Sequence, residues 1–105
     1  MKMIIAIVRP EKVQAVKDAL KAMGVNGMTI TSVRGRGQQS GLKFTNRVGT
    51  IVVDEIEKAK LEIVIDDRDE NAVIDAIKKA AVTGHMGDGR IFVIPIEKSI
   101  RIRDE

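Results

Sequence analysis

The chain has no cysteine, no tryptophan and no tyrosine, and its aromatic side chains are two phenylalanines. Without cysteine there is neither a disulfide framework nor a thiolate metal site, which fits a reducing cytosol. His85 is the only histidine, so no second imidazole exists to complete a transition-metal site. Single-stranded nucleic acid is read by stacking bases on aromatic platforms, and a chain this poor in aromatics is not expected to bind it directly. Phosphate binding as such stays open. No apolar run approaches the roughly 20 residues of a membrane span. The apolar start at 3–8 is too short for a signal peptide and is closed by Arg9 and Pro10. A cytoplasmic protein without a membrane span is the expectation. No nucleophile stands beside a base and no carboxylate pair is placed for acid–base work, so an enzyme is not expected.

What is present is one domain's worth of chain: 105 residues, 44% hydrophobic, net charge +3. Two similar halves are visible. Ile4-Ile5-Ala6-Ile7-Val8 and Asp18-Ala19-Leu20-Lys21 recur 57 residues later as Leu61-Glu62-Ile63-Val64-Ile65 and Asp75-Ala76-Ile77-Lys78. Each half reads as strand, helix, strand. The first helix is expected to start at Pro10, to bury Val13, Val16, Leu20 and Met23, and to stop at Gly24. The second opens on Asp67-Arg68-Asp69-Glu70, where Asp67 and Glu70 have capping-box spacing. Its stripe is Val73, Ile74, Ile77, Ala80 and Ala81, and it ends before Gly84. Strands are expected near 3–8, 28–35, 61–65 and 91–96, the first and third central because they are apolar on both faces. The order βαββαβ is the α+β, ferredoxin-like arrangement. Its helices cover one face of the sheet, and in so short a chain a partner subunit is the simplest cover for the other. The stretch 37–54 is longer than a hairpin needs. It reads as a functional loop, or as an extended hairpin with arms at 33–35 and 50–53.

Three constellations carry chemistry. Arg34-Gly35-Arg36-Gly37-Gln38-Gln39-Ser40-Gly41 joins flexible backbone to positive charge, which suits an anion, or equally a solvated turn. Thr83-Gly84-His85-Met86-Gly87-Asp88-Gly89-Arg90 runs straight into the strand pattern Ile91-Phe92-Val93. Its glycines can expose amides to a phosphate and Arg90 can fork onto it, while a plain helix-to-strand connection is the alternative. In the tail, Arg101 and Arg103 alternate with Ile100 and Ile102 and point the same way if extended, as charges guarding an edge strand also would.

Together these strings resemble the PII nitrogen-regulatory signal-transduction proteins. Thr83 with Gly87-Asp88-Gly89-Arg90-Ile91-Phe92-Val93 matches the family's C-terminal signature. The start through Arg9-Pro10, Gly27-Met28-Thr29-Ile30-Thr31, Gly35-Arg36-Gly37 with Gln39 and Gly41, Lys58-Ala59-Lys60-Leu61-Glu62-Ile63-Val64, and Ile100-Arg101-Ile102-Arg103 match as well. The resemblance implies a homotrimer of ferredoxin-like subunits, each one domain over 1–105. It implies a T-loop at 37–54, a B-loop at 83–90 and a C-terminal loop at 96–105. ATP or ADP would lie in clefts between subunits. Gly35, Arg36, Gly37 and Gln38 would line one wall, with Gly87, Asp88, Gly89 and Arg90 on the phosphates. Arg101 and Arg103 would come from the neighbouring subunit, and Ile7, Thr29, Glu62 and Val64 would surround adenine and ribose. Beside ATP, 2-oxoglutarate would bind through Mg²⁺ held by Gln39, with Gly41 and Gly87 near it and Lys58 on its distal carboxylate. Targets of such proteins include ammonium transporters, glutamine synthetase and nitrogenase, met through the loop; here Phe44, Arg47 and Ile51 are the candidate contacts. The alternative is a PII-like nucleotide-binding trimer that senses a different small molecule.

The departures are informative. Gln38 stands where many members carry a basic residue, and Arg90 where the family has lysine. Ile51 stands where many bacterial members carry a modified tyrosine, and Gly49 where cyanobacterial members carry a phosphorylated serine. With no tyrosine in the chain, tyrosine modification is excluded.

Overall fold

The computed structural model describes residues 1–36, 42–46, 49–53 and 55–103, the stretches 42–46 and 49–53 as backbone. Strand β1 spans Lys2–Val8, and helix α1 spans Val13–Ala22. Strand β2 spans Thr29–Gly35, β3 Leu42–Asn46, β4 Gly49–Val53 and β5 Ile56–Ile65. Helix α2 spans Glu70–Ala81 and strand β6 Gly89–Pro95. A four-stranded antiparallel sheet runs in the order β2-β5-β1-β6. The ferredoxin-like α+β arrangement is therefore present, with the two most apolar strands in the centre.

Alternation along the strands decides the layers. Ile4, Ala6 and Val8 of β1, and Ala59, Leu61, Ile63 and Ile65 of β5, point to the helices and are buried. Val16 and Leu20 of α1, and Val73, Ile77 and Ala81 of α2, recur every four residues and close the core from above. Fully burying each Ile, Leu or Val is worth roughly 1.5–3 kcal/mol, so these rows hold the helices down. Gly24 ends α1 at φ +82, with its amide on the Lys21 carbonyl at 3.0 Å and the Val25 amide on Leu20 at 2.9 Å. That is a Schellman stop, and it returns Val25 to the edge of the core.

Three expectations need correction. Pro10–Lys12 is a 3₁₀ turn, and the α-helix starts three residues later at Val13. The capping box at Asp67 and Glu70 does not form: Asp67–Asp69 is a second 3₁₀ turn without a side-chain cap. The Asp67 carboxylate accepts instead from the amino group of Met1 at 2.8 Å. The extended hairpin is not built from 33–35 and 50–53. Val33, Arg34 and Gly35 pair with Lys58, Glu57 and Ile56, while β4 pairs with β3 in a separate two-stranded ribbon. Strand β5 is thus longer than the apolar run that announced it, because Ile56–Lys60 continues the pleat past the point where alternation is clear.

The other face of the sheet carries no element of this chain among the described residues. Met3, Ile5, Ile7, Val64, Phe92 and Ile94 lie on it, with Phe92 49% and Val64 43% exposed. Lys58, Lys60, Glu62 and Arg90 share that face by register.

Candidate functional site

The site is built where β1 ends and β6 begins, beside the stretch of β5 that runs past them. Val8 faces Gly89 and Ala59 across the sheet, so the residues just past these positions, Arg9, Asp88 and Lys58, meet above it. The connection from α2 to β6 folds over them. Its glycines set its shape: Gly84 has φ +84, Gly87 +90 and Gly89 +114, a region L-residues rarely enter. At Gly89 a Cβ would stand 1.7 Å from the Ile7 carbonyl oxygen, so only glycine lets β6 approach β1 there.

Asp88 organises this connection. Its carboxylate accepts from the Thr83 amide at 2.8 Å, the Gly84 amide at 3.0 Å and Arg9 Nε at 3.1 Å, and from the Thr83 hydroxyl. The Thr83 bonds, with Arg9 and the Gly84 amide, hold the carboxyl well below the usual carboxylate range. Arg9 also donates through Nη2 to the Met86 carbonyl at 2.6 Å, and Lys58 Nζ donates to the Gly87 carbonyl. Partial burial lowers the Lys58 pKa, and the nearby Arg9 charge lowers it further, against Asp88 and Glu11, which raise it.

These contacts fix the direction of the amides. In a trans peptide the carbonyl and the N–H point opposite ways. With the Met86 and Gly87 carbonyls drawn to Arg9 and Lys58, the amides of Gly87 and Asp88 face away from them. Among the described residues the Gly87 amide makes no hydrogen bond, and the Asp88 amide makes none of good geometry, only loosely closing the turn through Met86 and Gly87. Consecutive outward-facing amides beside a cation form an anion-binding concavity. Arg90 sits directly opposite Ile7 in the ladder. A groove of about 590 Å³ adjoins them, lined by Ile7, Ile77, Val82, Gly89, Arg90 and Ile91 among others. That volume is in the range of small-molecule clefts, roughly 300–1,000 Å³.

The sequence-predicted residues fall into two groups. Gly87, Asp88, Gly89, Arg90, Ile7 and Lys58 come together as described. Gly35 joins them from the end of β2: a Cβ there would lie 3.6 Å from Lys58 Cγ. Thr29, Glu62 and Val64 lie on the same open face but toward the β2 edge, Thr29 directly opposite Glu62. With strands about 4.8 Å apart, β2 and β6 are separated by about 14 Å. Arg36 is exposed at the end of β2, and Arg101 and Arg103 are exposed in the tail. Gly37, Gln38, Gln39, Gly41 and Arg47 lie outside the described residues. Phe44 and Ile51 oppose each other in the β3–β4 ribbon. His85 is exposed, and its amide rests on the Thr83 hydroxyl at 3.2 Å.

Sequence reasoning missed Arg9 as a site residue, and it found Thr83 within the string 83–90 without giving it a role. Arg9 lies 77 and 79 positions from its partners Met86 and Asp88, a separation that no local pattern can carry.

The family model described as Nitrogen regulatory protein P-II matches residues 1–105. The chain is 48% identical over 103 residues to Nitrogen regulatory protein P-II 2 of Methanothermobacter thermautotrophicus, covering 98% of this chain and 90% of the relative. It is 47% identical to Nitrogen regulatory protein P-II of Rhizobium meliloti and 48% identical to that of Bradyrhizobium diazoefficiens, each over 98% of this chain and 92% of the relative.

Proposed function

Because this chain belongs to the nitrogen regulatory protein P-II family, we propose that it is a trimeric sensor of ATP, ADP and 2-oxoglutarate that regulates a nitrogen-metabolism target through the loop 37–54. Members of this family are signalling proteins and not enzymes. The observation that carries the nucleotide reading is the pair of outward-facing amides at Gly87 and Asp88, next to Arg90 and the groove along β6. A polyphosphate needs several amides and several cations, and this corner supplies both.

Two features support clefts between subunits. The open face leaves Phe92, Ile94 and Val64 uncovered. The proposed adenine and ribose contacts Thr29, Glu62 and Val64 lie toward the opposite edge of the sheet from the phosphate group. Setting the β2 edge of one copy against the β6 edge of the next brings both groups into one cleft. It also gives Arg101 and Arg103 of the exposed tail a phosphate to reach.

The effector reading rests on Lys58. Partial burial and then the Arg9 charge lower its pKa, so its ammonium is held beside a second cation, with the Asp88 carboxylate offsetting part of the charge. The distal carboxylate of 2-oxoglutarate relieves that repulsion by drawing Lys58 off the Gly87 carbonyl. Among the described residues no group of His, Asp or Glu is placed to hold an ion. Mg²⁺ at this site would take its oxygen shell from the phosphates, the keto acid and Gln39, and would tie the effector to the triphosphate. ADP lacks the γ-phosphate and would leave that shell incomplete.

Titration calorimetry tests the reading. ATP binding is expected, strengthened by 2-oxoglutarate only with Mg²⁺, and Lys58→Met should abolish the strengthening while leaving ATP bound. ATP binding without coupling would leave a relative that senses a different small molecule. No nucleotide binding would end the proposal.

A further inference from the structure

We infer that Asp88 is the positioning residue of the anion loop: its side chain holds the segment 83–88 in the shape that exposes the Gly87 and Asp88 amides, and does not itself touch the ligand. The inference rests on the nucleotide reading above and assigns a role within it.

A carboxylate next to a phosphate site is unfavourable by charge alone, so its presence there calls for a reason. Geometry supplies one. The Asp88 oxygens accept from two amides, a hydroxyl and a guanidinium. An ionised carboxylate has about four acceptor positions, so the group is saturated and has none left for a metal or a substrate donor. All four donors are structural. The Thr83 and Gly84 amides follow the end of α2, and Arg9 follows β1. One side chain therefore ties the loop to its own entry and to the central strand. The segment needs such a tie, because Gly84, Gly87 and Gly89 all have positive φ and leave the backbone free to take other shapes. Arg9 completes the arrangement: held by Asp88, its other arm reaches the Met86 carbonyl at 2.6 Å and turns the Gly87 amide outward.

Sign separates this role from its rival. If Asp88 acted only as a nearby charge, removing it would tighten binding of an anion. If it positions the loop, removing it weakens binding, and does so in proportion to the phosphates engaged. The experiment is calorimetry of the full chain with ATP and with AMP, for the parent, Asp88→Ala, Thr83→Val and Thr83→Ser, at a temperature where each is folded by circular dichroism. Asp88→Ala should weaken ATP about tenfold or more, the size of losing one charge-assisted hydrogen bond. AMP should weaken far less, so the ratio of AMP to ATP dissociation constants shrinks. Thr83→Val should shift that ratio the same way by a smaller factor, and Thr83→Ser, which keeps the hydroxyl, should restore it. Should Asp88→Ala fail to fold, the two Thr83 variants decide. Unchanged or tighter ATP binding by Asp88→Ala, or equal losses for ATP and AMP, overturns the inference and leaves the nucleotide reading standing. A parent that binds neither nucleotide overturns both.

Discussion

Gly89→Ala is the sharpest test of the corner where β6 meets β1. Gly89 sits at φ +114, and an added Cβ would stand 1.7 Å from the Ile7 carbonyl oxygen and 2.8 Å from the Ile7 carbonyl carbon. Both obstacles are backbone of the central strand, so no rotamer change relieves them. A real contact is at least 3 Å, which means that the first residues of β6 must move outward by more than 1 Å. Leaving φ or accepting it costs about 1–2 kcal/mol. Detaching the start of β6 from Val8 gives up one or two ladder hydrogen bonds of about 0.5–1.5 kcal/mol each. The sum is about 2–4 kcal/mol. For a domain of this size, roughly 4–8 °C per kcal/mol puts the loss of melting temperature at about 8–32 °C. Thermal unfolding by circular dichroism reads it. Two glycines serve as rulers: Gly84→Ala, at φ +84 in open space, should show only the backbone penalty, and Gly27→Ala, with no neighbour within 4 Å and no positive φ, should lie within about 0.5 kcal/mol of the parent. If Gly89→Ala melts within about 3 °C of the parent, or below neither ruler, the close approach of the two strands is refuted.

Other outcomes follow from the same contacts. Leu61 is 0% exposed on the central strand β5, so Leu61→Ala should cost about 2–5 kcal/mol, read from the urea midpoint; a loss under about 1 kcal/mol would place it outside the core. Asp88 has its carboxyl held below the usual range, so its contribution to stability is complete above about pH 4 and fades as the pH falls through its folded-state pKa. The stability gap between the parent and Asp88→Asn should be flat from pH 7 to about 5 and narrow toward pH 2, and a gap that widens in acid contradicts the hydrogen bonding described. Phe92 is 49% exposed on the uncovered face of the edge strand β6, so if copies assemble through that face as proposed, Phe92→Glu should give smaller species than the parent by light scattering, and an unchanged mass would show that copies do not meet there.

The fold was legible because its determinants are local and periodic. Val16 and Leu20, and Val73, Ile77 and Ala81, declare buried helix faces by spacing alone, and the apolar runs at 4–8 and 61–65 declare central strands. Element starts were less legible. Asp67 has a capping residue's identity and spacing, but its carboxylate is taken by the Met1 amino group, a partner 66 positions away. The pairing of Leu42–Asn46 with Gly49–Val53 was missed because the seam of the four-stranded sheet, Gly35 against Ile56, lies closer to the ends of the long loop than the apolar pattern suggests. For the site, Gly87 to Arg90 and Lys58 were found as strings, whereas the bond from Arg9 to Asp88 appears only once β1 and β6 are placed side by side, and the Thr83 bonds to Asp88, though only five positions apart, need the folded shape of the connection.

On the proposed reading, the architecture also says how occupancy reaches the loop. Gly35 and Ile56 face each other at the roots of 37–54, and Lys58, opposite Val33, is the next residue on the same face of β5. Its Cγ lies 3.6 Å from the position of a Gly35 Cβ. A ligand that draws Lys58 away from the Gly87 carbonyl therefore acts at the root of the loop and not at a distance from it. Covalent signalling through tyrosine has no acceptor here: the chain has none, and Ile51 stands opposite Phe44 in the ribbon. On that reading, ligand occupancy moves the population. Shifting a loop from 1:9 to 9:1 takes a differential affinity of about 80-fold, or about 2.6 kcal/mol. A charge-assisted hydrogen bond that a ligand makes in one arrangement and not in the other is worth about 1.5–3 kcal/mol, which is the size such a shift needs.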